Sequence, residues 1–151
     1  SAIPFIVSKD LTIDRMAVSA SGGVGTLVEL GIYNDNGSMI PGTLLIDAGI
    51  VDVSGAFGVK ETALINQIMT KGIYWLTINT NDPLIGVTGF TASDVLPILG
   101  LDPTNYRNVV AGYRSAYPFS PLPDPFPVGA SQVIITFSGP QIFPYIAVRI
   151  A

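Results

Sequence analysis

Neither cysteine nor histidine occurs among the 151 residues of the chain. These residues supply disulfides, thiolate nucleophiles, most catalytic bases and the common zinc ligands, so their absence excludes Ser-His-Asp and Cys-His catalysis. A pair of carboxylates is the remaining route to hydrolysis. The only glutamates, Glu29 and Glu61, fall on predicted strands, and the spacing of Asp47 and Asp52 puts them on opposite faces of a strand. We therefore expect a non-enzymatic protein without cofactor or metal.

Charged residues are also scarce, at 12% of the chain, and the net charge is −4. The seven basic residues form no cluster, which argues against nucleic acid as a partner. No apolar run approaches the ~20 residues of a membrane-spanning helix, so we expect no membrane insertion. So little charge leaves more apolar surface than usual to be covered, which favours a homo-oligomer. The first residue is Ser1 rather than methionine, which suggests part of a longer protein.

Short strands and turns account for most of what is present. In "DLTIDRMAVSAS" the apolar residues Leu11 and Ile13 are followed by Met16 and Val18, a period of two with one extra residue, which predicts a strand with a bulge. "TLVELGIYND" alternates in the same way and leads into "NDNG" (34–37), a hairpin-turn signal. "PG" predicts a second turn a few residues later.

Further strands follow along the chain. "TLLIDAGIVDVSG" reads as one strand or two, and strand is favoured over helix for residues 59–69. "KGIYWLTINTND" has bulky residues on both faces, so it predicts a central strand with Trp75 in the core. "QVIITFSG" and "PYIAVRIA" close the chain as two more strands. The prediction is a single domain over residues 1–151, an all-β, antiparallel, jelly-roll-like β-sandwich.

Residues 83–129 differ from the rest because they are rich in glycine and proline, and we predict a long irregular insertion. Within it, "SDVLPIL" predicts a short helical turn and "NVVAGYR" a strand. "PFSPLPDPFPVG" contains five prolines and favours an extended conformation. Five aromatic residues of this region either contact a ligand or partner, or cover the flank of the sandwich: Tyr106, Tyr113, Tyr117, Phe119 and Phe126.

The segment "LVELGIYNDNGSMIPGTLLIDAG", followed by "GVK" and "LINQIMTKGIYWLTI", has a distinctive order of elements. A strand ending in Leu-Gly-Ile-Tyr (30–33) leads to the Asn-Gly turn (34–37), to Pro-Gly-x-Leu-Leu (41–45), to "DAG" (47–49) and to Gly-x-Tyr-Trp-Leu (72–76). Together with the closing "YIAVRIA", this order resembles a β-sandwich domain found repeatedly in tail fibres and related structural proteins of tailed bacteriophages.

The resemblance implies a non-enzymatic component of the virion, soluble when isolated and usually a homotrimer, that binds a host-surface glycan or other virion proteins. It supplies no recognised binding residue. The residues that carry it have structural roles instead: Gly31 for close strand packing, Gly37 and Gly42 for positive φ, and Trp75 for the core. Two alternatives remain open, namely a carbohydrate-binding module of a bacterial protein and a capsid decoration protein.

Overall fold

The computed structural model describes residues 1–91, 94, 98–136 and 143–151, except for the side chains of Tyr106 and Phe143. Over these residues the chain is all-β and forms no helix. The strands are, in chain order, β1 (Ala2–Val7), β2 (Leu11–Gly22), β3 (Leu27–Asp35), β4 (Pro41–Asp52), β5 (Gly55–Glu61), β6 (Gln67–Met69), β7 (Gly72–Thr80), β8 (Gly86–Val87), β9 (Gly89–Phe90), β10 (Leu101–Asp102), β11 (Asn105–Arg114), β12 (Ser131–Ile135), β13 (Phe143–Pro144) and β14 (Ile146–Ile150).

Two antiparallel sheets pack against each other, which confirms the predicted β-sandwich. The main sheet has seven strands in the order β10-β11-β1-β7-β3-β4, with β12 paired to the other side of β11. The second sheet has five strands in the order β14-β2-β5, with β6 and β8 also paired to β2. The strands β9 and β13 form a short separate pair.

The strand β7 lies in the middle of the main sheet, between β1 and β3, as its apolar residues predicted. Its residues alternate between two environments. Tyr74, Leu76 and Ile78 belong to the core between the sheets, whereas Trp75 belongs to a second apolar cluster on the opposite face. Trp75 is therefore fully buried, as predicted, but outside the main core.

The predicted bulge in β2 is present at Asp14. Arg15 pairs with Arg149 of β14, but the next pair joins Ile13 to Ile150, so Asp14 has no opposite residue. This extra residue lets both Ile13 and Met16 point into the core, where each is fully buried. The extra residue between the two apolar pairs of the sequence thus corresponds to a change of register between β2 and β14.

Of the two turns predicted between β3 and β4, only the first is present. "NDNG" forms the turn, and Gly37 has a φ of +90°. The second turn predicted at "PG" is wrong, because Pro41 and Gly42 begin β4, with Pro41 paired to Asp35. Gly42 is accordingly not among the residues with positive φ; it packs instead against the backbone of Asn36.

Within residues 59–69, the first three end β5 and the last three form β6, so the preference for strand over helix is right there. Residues 62–66 between the two strands belong to neither. The strand predicted at "NVVAGYR" is confirmed: it is part of β11 and joins the main sheet beside β1. Residues 83–129 are otherwise less irregular than predicted, because they also contain the short strands β8, β9 and β10. The predicted helical turn at 93–99 lies mostly outside the described residues, as does the end of the strand predicted at 132–139. The longest irregular segment among the described residues is 115–130, between β11 and β12, which we call the strap.

The core between the sheets is built by alternation along the strands. On β3, Val28, Leu30 and Ile32 are fully buried in this core, and the residues between them face the other side of the main sheet. That outer face is not left open to solvent. The strap crosses it, and the contacts between the two are described below.

Candidate functional site

The outer face of the main sheet carries a cluster of aromatic residues, which we call the aromatic floor: Tyr33 on β3, Trp75 on β7 and Tyr113 on β11. Tyr33 and Trp75 have no exposed surface, and Tyr113 is buried as well. The rings of Trp75 and Tyr113 meet edge to face with centroids 5.5 Å apart. The indole Nε1 of Trp75 donates a hydrogen bond to Asp35 at 2.9 Å, so the ring is fixed in orientation.

The strap is attached to three strands beneath it by hydrogen bonds. Four are direct: Tyr33 Oη donates to the Pro123 carbonyl at 2.6 Å, the Leu44 N–H to Asp124 at 2.9 Å, the Phe126 N–H to the Gly42 carbonyl at 2.9 Å, and Asn79 Nδ2 to the Pro118 carbonyl at 3.2 Å. The ring of Phe126 also packs edge to face on Tyr33 at 5.2 Å. These contacts hold a segment that has almost no regular structure of its own.

Gly31 allows the strap to approach the sheet closely. A Cβ at this position would overlap Leu122 Cδ1 and would lie 2.9 Å from the Ile46 carbonyl oxygen. The sequence predicted Gly31 to permit close packing of strands, and the structure shows that the strap makes the closest approach. Only a residue without a side chain leaves room here for Leu122.

Beside Gly31, the carboxyl of Glu29 is buried under the strap with 3% of the residue exposed. Its Oε2 has no hydrogen-bond partner among the described residues. Burial, and then the neighbouring Asp47 carboxylate on β4, raise the pKa of Glu29 to about 7, against a smaller opposite effect of the Leu122 N–H. Burial also raises the pKa of Tyr33, which keeps its hydroxyl protonated as the donor to the strap.

The pairing of Glu29 with Asp47 could not be read from the sequence. The two lie on the adjacent strands β3 and β4, but their pairing contains three register shifts, so counting back from the turn does not bring them together. In the sequence, Glu29 is paired only with Glu61 as the second glutamate, and Asp47 only with its neighbour Asp52. The one signal in the sequence was the position of Glu29 inside the apolar run "LVELGI", since a glutamate among buried neighbours usually has a partner.

The five aromatic residues predicted as contact candidates fall into different places. Tyr113 belongs to the aromatic floor, and Phe126 holds the strap onto it. Phe119 is half-buried on the strap, whereas Tyr117 is 36% exposed, with its hydroxyl 3.4 Å from the Pro121 carbonyl. Tyr106 lies on β11, with its side chain outside the described part of the molecule. Tyr117 is thus the member of the set with a described side chain that offers the most surface to a ligand.

Space under the strap is small. A cavity of about 30 Å³ is lined by residues that include Tyr33, Thr77, Tyr117 and Leu122. A volume of this size holds about one water molecule and no sugar ring. The aromatic floor is therefore not a ligand cleft while the strap is in place.

Two loops at one end of the sandwich form a different kind of surface, which we call the loop tip: residues 23–26 and 81–85. Asn81 accepts a hydrogen bond from the Leu27 N–H at 2.8 Å and donates one to the Gly25 carbonyl at 3.0 Å. Thr26 Oγ1 donates to Asp82 at 3.0 Å. The two loops are thus held to each other by side chains, which fixes their relative position.

The loop tip presents large apolar side chains to solvent. Val24 is fully exposed and Leu84 is 88% exposed. Phe57, which is 55% exposed on β5, lies beside Gly86 where the second loop ends. The motif "SGGVG" predicts only a turn, and nothing in the sequence shows that the two loops meet or indicates Val24 and Leu84 as contact residues.

The outer face of the second sheet carries an ion-pair cluster. Arg149 binds Asp14 through two hydrogen bonds of 2.7 and 2.8 Å and lies 3.9 Å from Glu61, which also pairs with Arg15 at 3.6 Å. The bond from Arg149 lowers the pKa of Asp14. These groups are partly exposed and pair with one another, although the Arg15 Nε atom has no hydrogen-bond partner among the described residues. The cluster resembles a surface ion-pair network rather than a catalytic site. Within the described ranges, no three acidic side chains converge in a way that could hold a metal ion.

In the part of the chain that the structure describes, no helix is long and apolar enough to cross a membrane. Comparisons of the chain with protein-family models, with curated proteins and with solved structures found no match. The architecture and the surfaces described above are therefore the basis for any functional assignment.

Proposed function

We propose that the chain is a non-enzymatic structural domain of a tailed-bacteriophage virion, a tail-fibre or receptor-binding segment that acts as a homotrimer by surface contact. The observation that carries this proposal is the loop tip. Val24 and Leu84 are exposed on loops that are hydrogen-bonded to each other. Because the loops are already ordered, binding through these side chains costs little conformational entropy. Such a surface fits a protein or host-surface partner better than a small substrate.

The resemblance in the sequence supports the same proposal. Its motifs lie together in the main sheet: residues 30–33 on β3, residues 41–45 on β4 and residues 72–76 on β7, with β3 between the other two strands. The motifs therefore specify one contiguous part of the fold. The exposed apolar side chains and the low charge favour a homotrimer, which would cover apolar surface and give three weak contacts the benefit of avidity.

The first experiment measures the mass of the chain in solution by light scattering at micromolar concentration. We expect three times the chain mass of 15.9 kDa. A monomer at these concentrations would contradict the trimer. The same measurement on the loop-tip variant described next shows whether that variant keeps the assembly intact.

The second experiment measures adsorption of the labelled chain to bacterial cells of candidate hosts. The test variant is Val24→Ser combined with Leu84→Ser, and the matched control is Val128→Ser, which changes a side chain that is 97% exposed on the strap. We expect the double variant to lose adsorption and the control to keep it. Equal adsorption by both variants would exclude the loop tip. Adsorption to no host, together with binding to isolated virion proteins, would favour the capsid decoration protein.

A carbohydrate-binding module is the second candidate, because Tyr117 leaves an aromatic ring exposed on the strap. A glycan array tests it, with Tyr117→Ala as the variant that should lose binding. Tyr113→Ala is unsuitable for this purpose because Tyr113 packs on Trp75, so its loss would disturb the fold. An array without signal would count against a glycan ligand for this domain.

A further inference from the structure

We propose that the strap is a pH-sensitive cover, and that loss of the proton held by the buried Glu29 carboxyl next to Asp47 loosens the strap and admits solvent to Trp75. The proposal concerns a conformational change that does not depend on the proposed virion function. It rests on three features of the structure, which are the burial of Glu29, the absence of compensating positive charge around it, and the way the strap is attached.

Glu29 is in a position where its charge is costly. The residue is 3% exposed, and Oε2 has neither a partner among the described residues nor access to water. An ionised carboxylate in such a place loses its hydration without replacing it. The Leu122 N–H of the strap is the one group found to favour the charged form. Moving the strap away would return water to this carboxylate.

The groups that face Glu29 and Tyr33 from the surrounding elements are acidic or neutral. They are Asp47 on β4, Tyr33 on β3 itself, and Asp124 and Tyr117 on the strap. No described lysine or arginine acts on the Glu29 carboxyl, so its negative charge adds to that of Asp47. Deprotonation therefore creates repulsion between β3 and β4 directly under the strap. Glu29 begins to ionise near neutral pH, given its raised pKa of about 7.

The strap can separate from the sheet without loss of a sheet strand. Its two ends leave β11 and β12 at Arg114 and Ser131, which are paired to each other. Between these ends the strap contributes no strand to either sheet. Its attachments include the four hydrogen bonds, the Phe126 contact, Leu122 over Gly31, and the Leu122 N–H beside Glu29. Local opening of such a segment costs less than global unfolding.

Trp75 provides the measurement, since it is the single tryptophan of the chain and is fully buried on the floor beneath the strap. We expect its fluorescence emission to shift to longer wavelength, and its quenching by acrylamide to increase, as pH rises from 5 to 8.5 with a midpoint near 7. The far-UV circular dichroism should stay constant over this range. In hydrogen exchange, the protection factors of strap amides should fall by about tenfold or more, while those of β7 do not.

The variant Glu29→Gln keeps the shape of the side chain and removes its charge, so the fluorescence change should disappear. Glu61→Gln is the matched control, because Glu61 lies on the second sheet in the ion-pair cluster, and its response should equal that of the native chain. Asp47→Asn is a second test, on an exposed residue. Because the Asp47 carboxylate raises the pKa of Glu29, its removal should move the midpoint of the fluorescence change to lower pH and make the change smaller. An unchanged midpoint and an unchanged amplitude in Asp47→Asn would refute the repulsion.

Two results would overturn the proposal. One is a native chain whose Trp75 emission and quenching are constant from pH 5 to 8.5. The other is a transition that persists unchanged in Glu29→Gln, which would assign it to another group. The amino group of Ser1, which also lies next to the strap, is not that group in the upper half of this range, because burial and Arg114 lower its pKa to about 5. Both results can be obtained whether or not the chain is a trimer.

Discussion

Replacing Gly31 by alanine adds one methyl group at the point where the strap approaches the sheet most closely. The new Cβ would overlap Leu122 Cδ1 and lie 2.9 Å from the Ile46 carbonyl oxygen. Gly31 is not among the residues with positive φ, so alanine can adopt its backbone conformation and the cost is steric. Leu122 can move with the strap, but the Ile46 carbonyl belongs to β4 and cannot move far without disturbing the hairpin.

Overpacking of this kind costs about 1 to 3 kcal/mol. We expect Gly31→Ala to lower the free energy of unfolding by that amount in urea denaturation. Leu122→Ala removes one of the two clashes, so the double variant should be more stable than the two single effects predict, with a coupling energy of about 1 kcal/mol or more. The contact with Ile46 remains in the double variant, so the rescue should be partial.

Gly58→Ala on β5 is the matched control, because Gly58 also lies in a strand, has no positive φ, and a Cβ there meets nothing within 4 Å. At such a position alanine stabilises by about 0.4 to 1 kcal/mol, since it restricts the unfolded chain. The two substitutions should therefore have opposite signs. If Gly31→Ala were as harmless as Gly58→Ala, or if Gly31→Ala and Leu122→Ala were simply additive, the close approach of the strap would be refuted.

Three further predictions concern the strap and the bulge. Tyr33→Phe removes the 2.6 Å hydrogen bond to Pro123, and should cost about 1 kcal/mol in urea denaturation and speed amide exchange in the strap; unchanged exchange would contradict it. Deleting Asp14 removes the bulge and turns the start of β2 inside out, so calorimetry should show loss of cooperative unfolding, whereas a near-native melting temperature would contradict the register. The folded-state pKa of Glu29 is raised from 4.5 to about 7, so its contribution to stability is complete below pH 4.5 and is lost as pH rises to 7. Glu29→Gln should therefore gain stability over the native chain by roughly 3 kcal/mol at pH 8 and by little at pH 4.5, and parallel curves would show that Glu29 is not the titrating group.

Strand positions could be predicted where apolar residues alternate. The bulge at Asp14 follows because apolar side chains on both sides of it must point to the same face of β2. The central position of β7 follows because this strand has bulky apolar side chains on both faces. The turn at Pro41 and Gly42 was predicted from residue preference alone, and it is wrong because proline also fits the first position of an edge strand. Periodicity was therefore a better guide here than turn propensity.

The candidate sites could not be predicted, because each depends on contacts between segments far apart in the sequence. Tyr33 and Pro123 are ninety residues apart, and Thr26 and Asp82 are fifty-six apart. Composition identified the proline-rich segment as unusual, and left open whether its aromatic rings contact a ligand or cover the sandwich. Phe126 covers the sandwich, because its ring packs on Tyr33. Tyr117 is partly exposed and therefore stays available to contact a ligand.

The composition of the strap explains why a sheet face is covered here by an irregular segment. Each proline lacks a backbone N–H, so the strap cannot form a regular ladder or extend the sheet. It can offer carbonyl oxygens, and two of its four direct hydrogen bonds use the carbonyls of Pro118 and Pro123. A cover attached in this way depends on a few side chains below it. Changes at Tyr33 or Glu29 should thus act on the strap before they act on the sandwich, which is the order of events that the fluorescence and exchange experiments resolve.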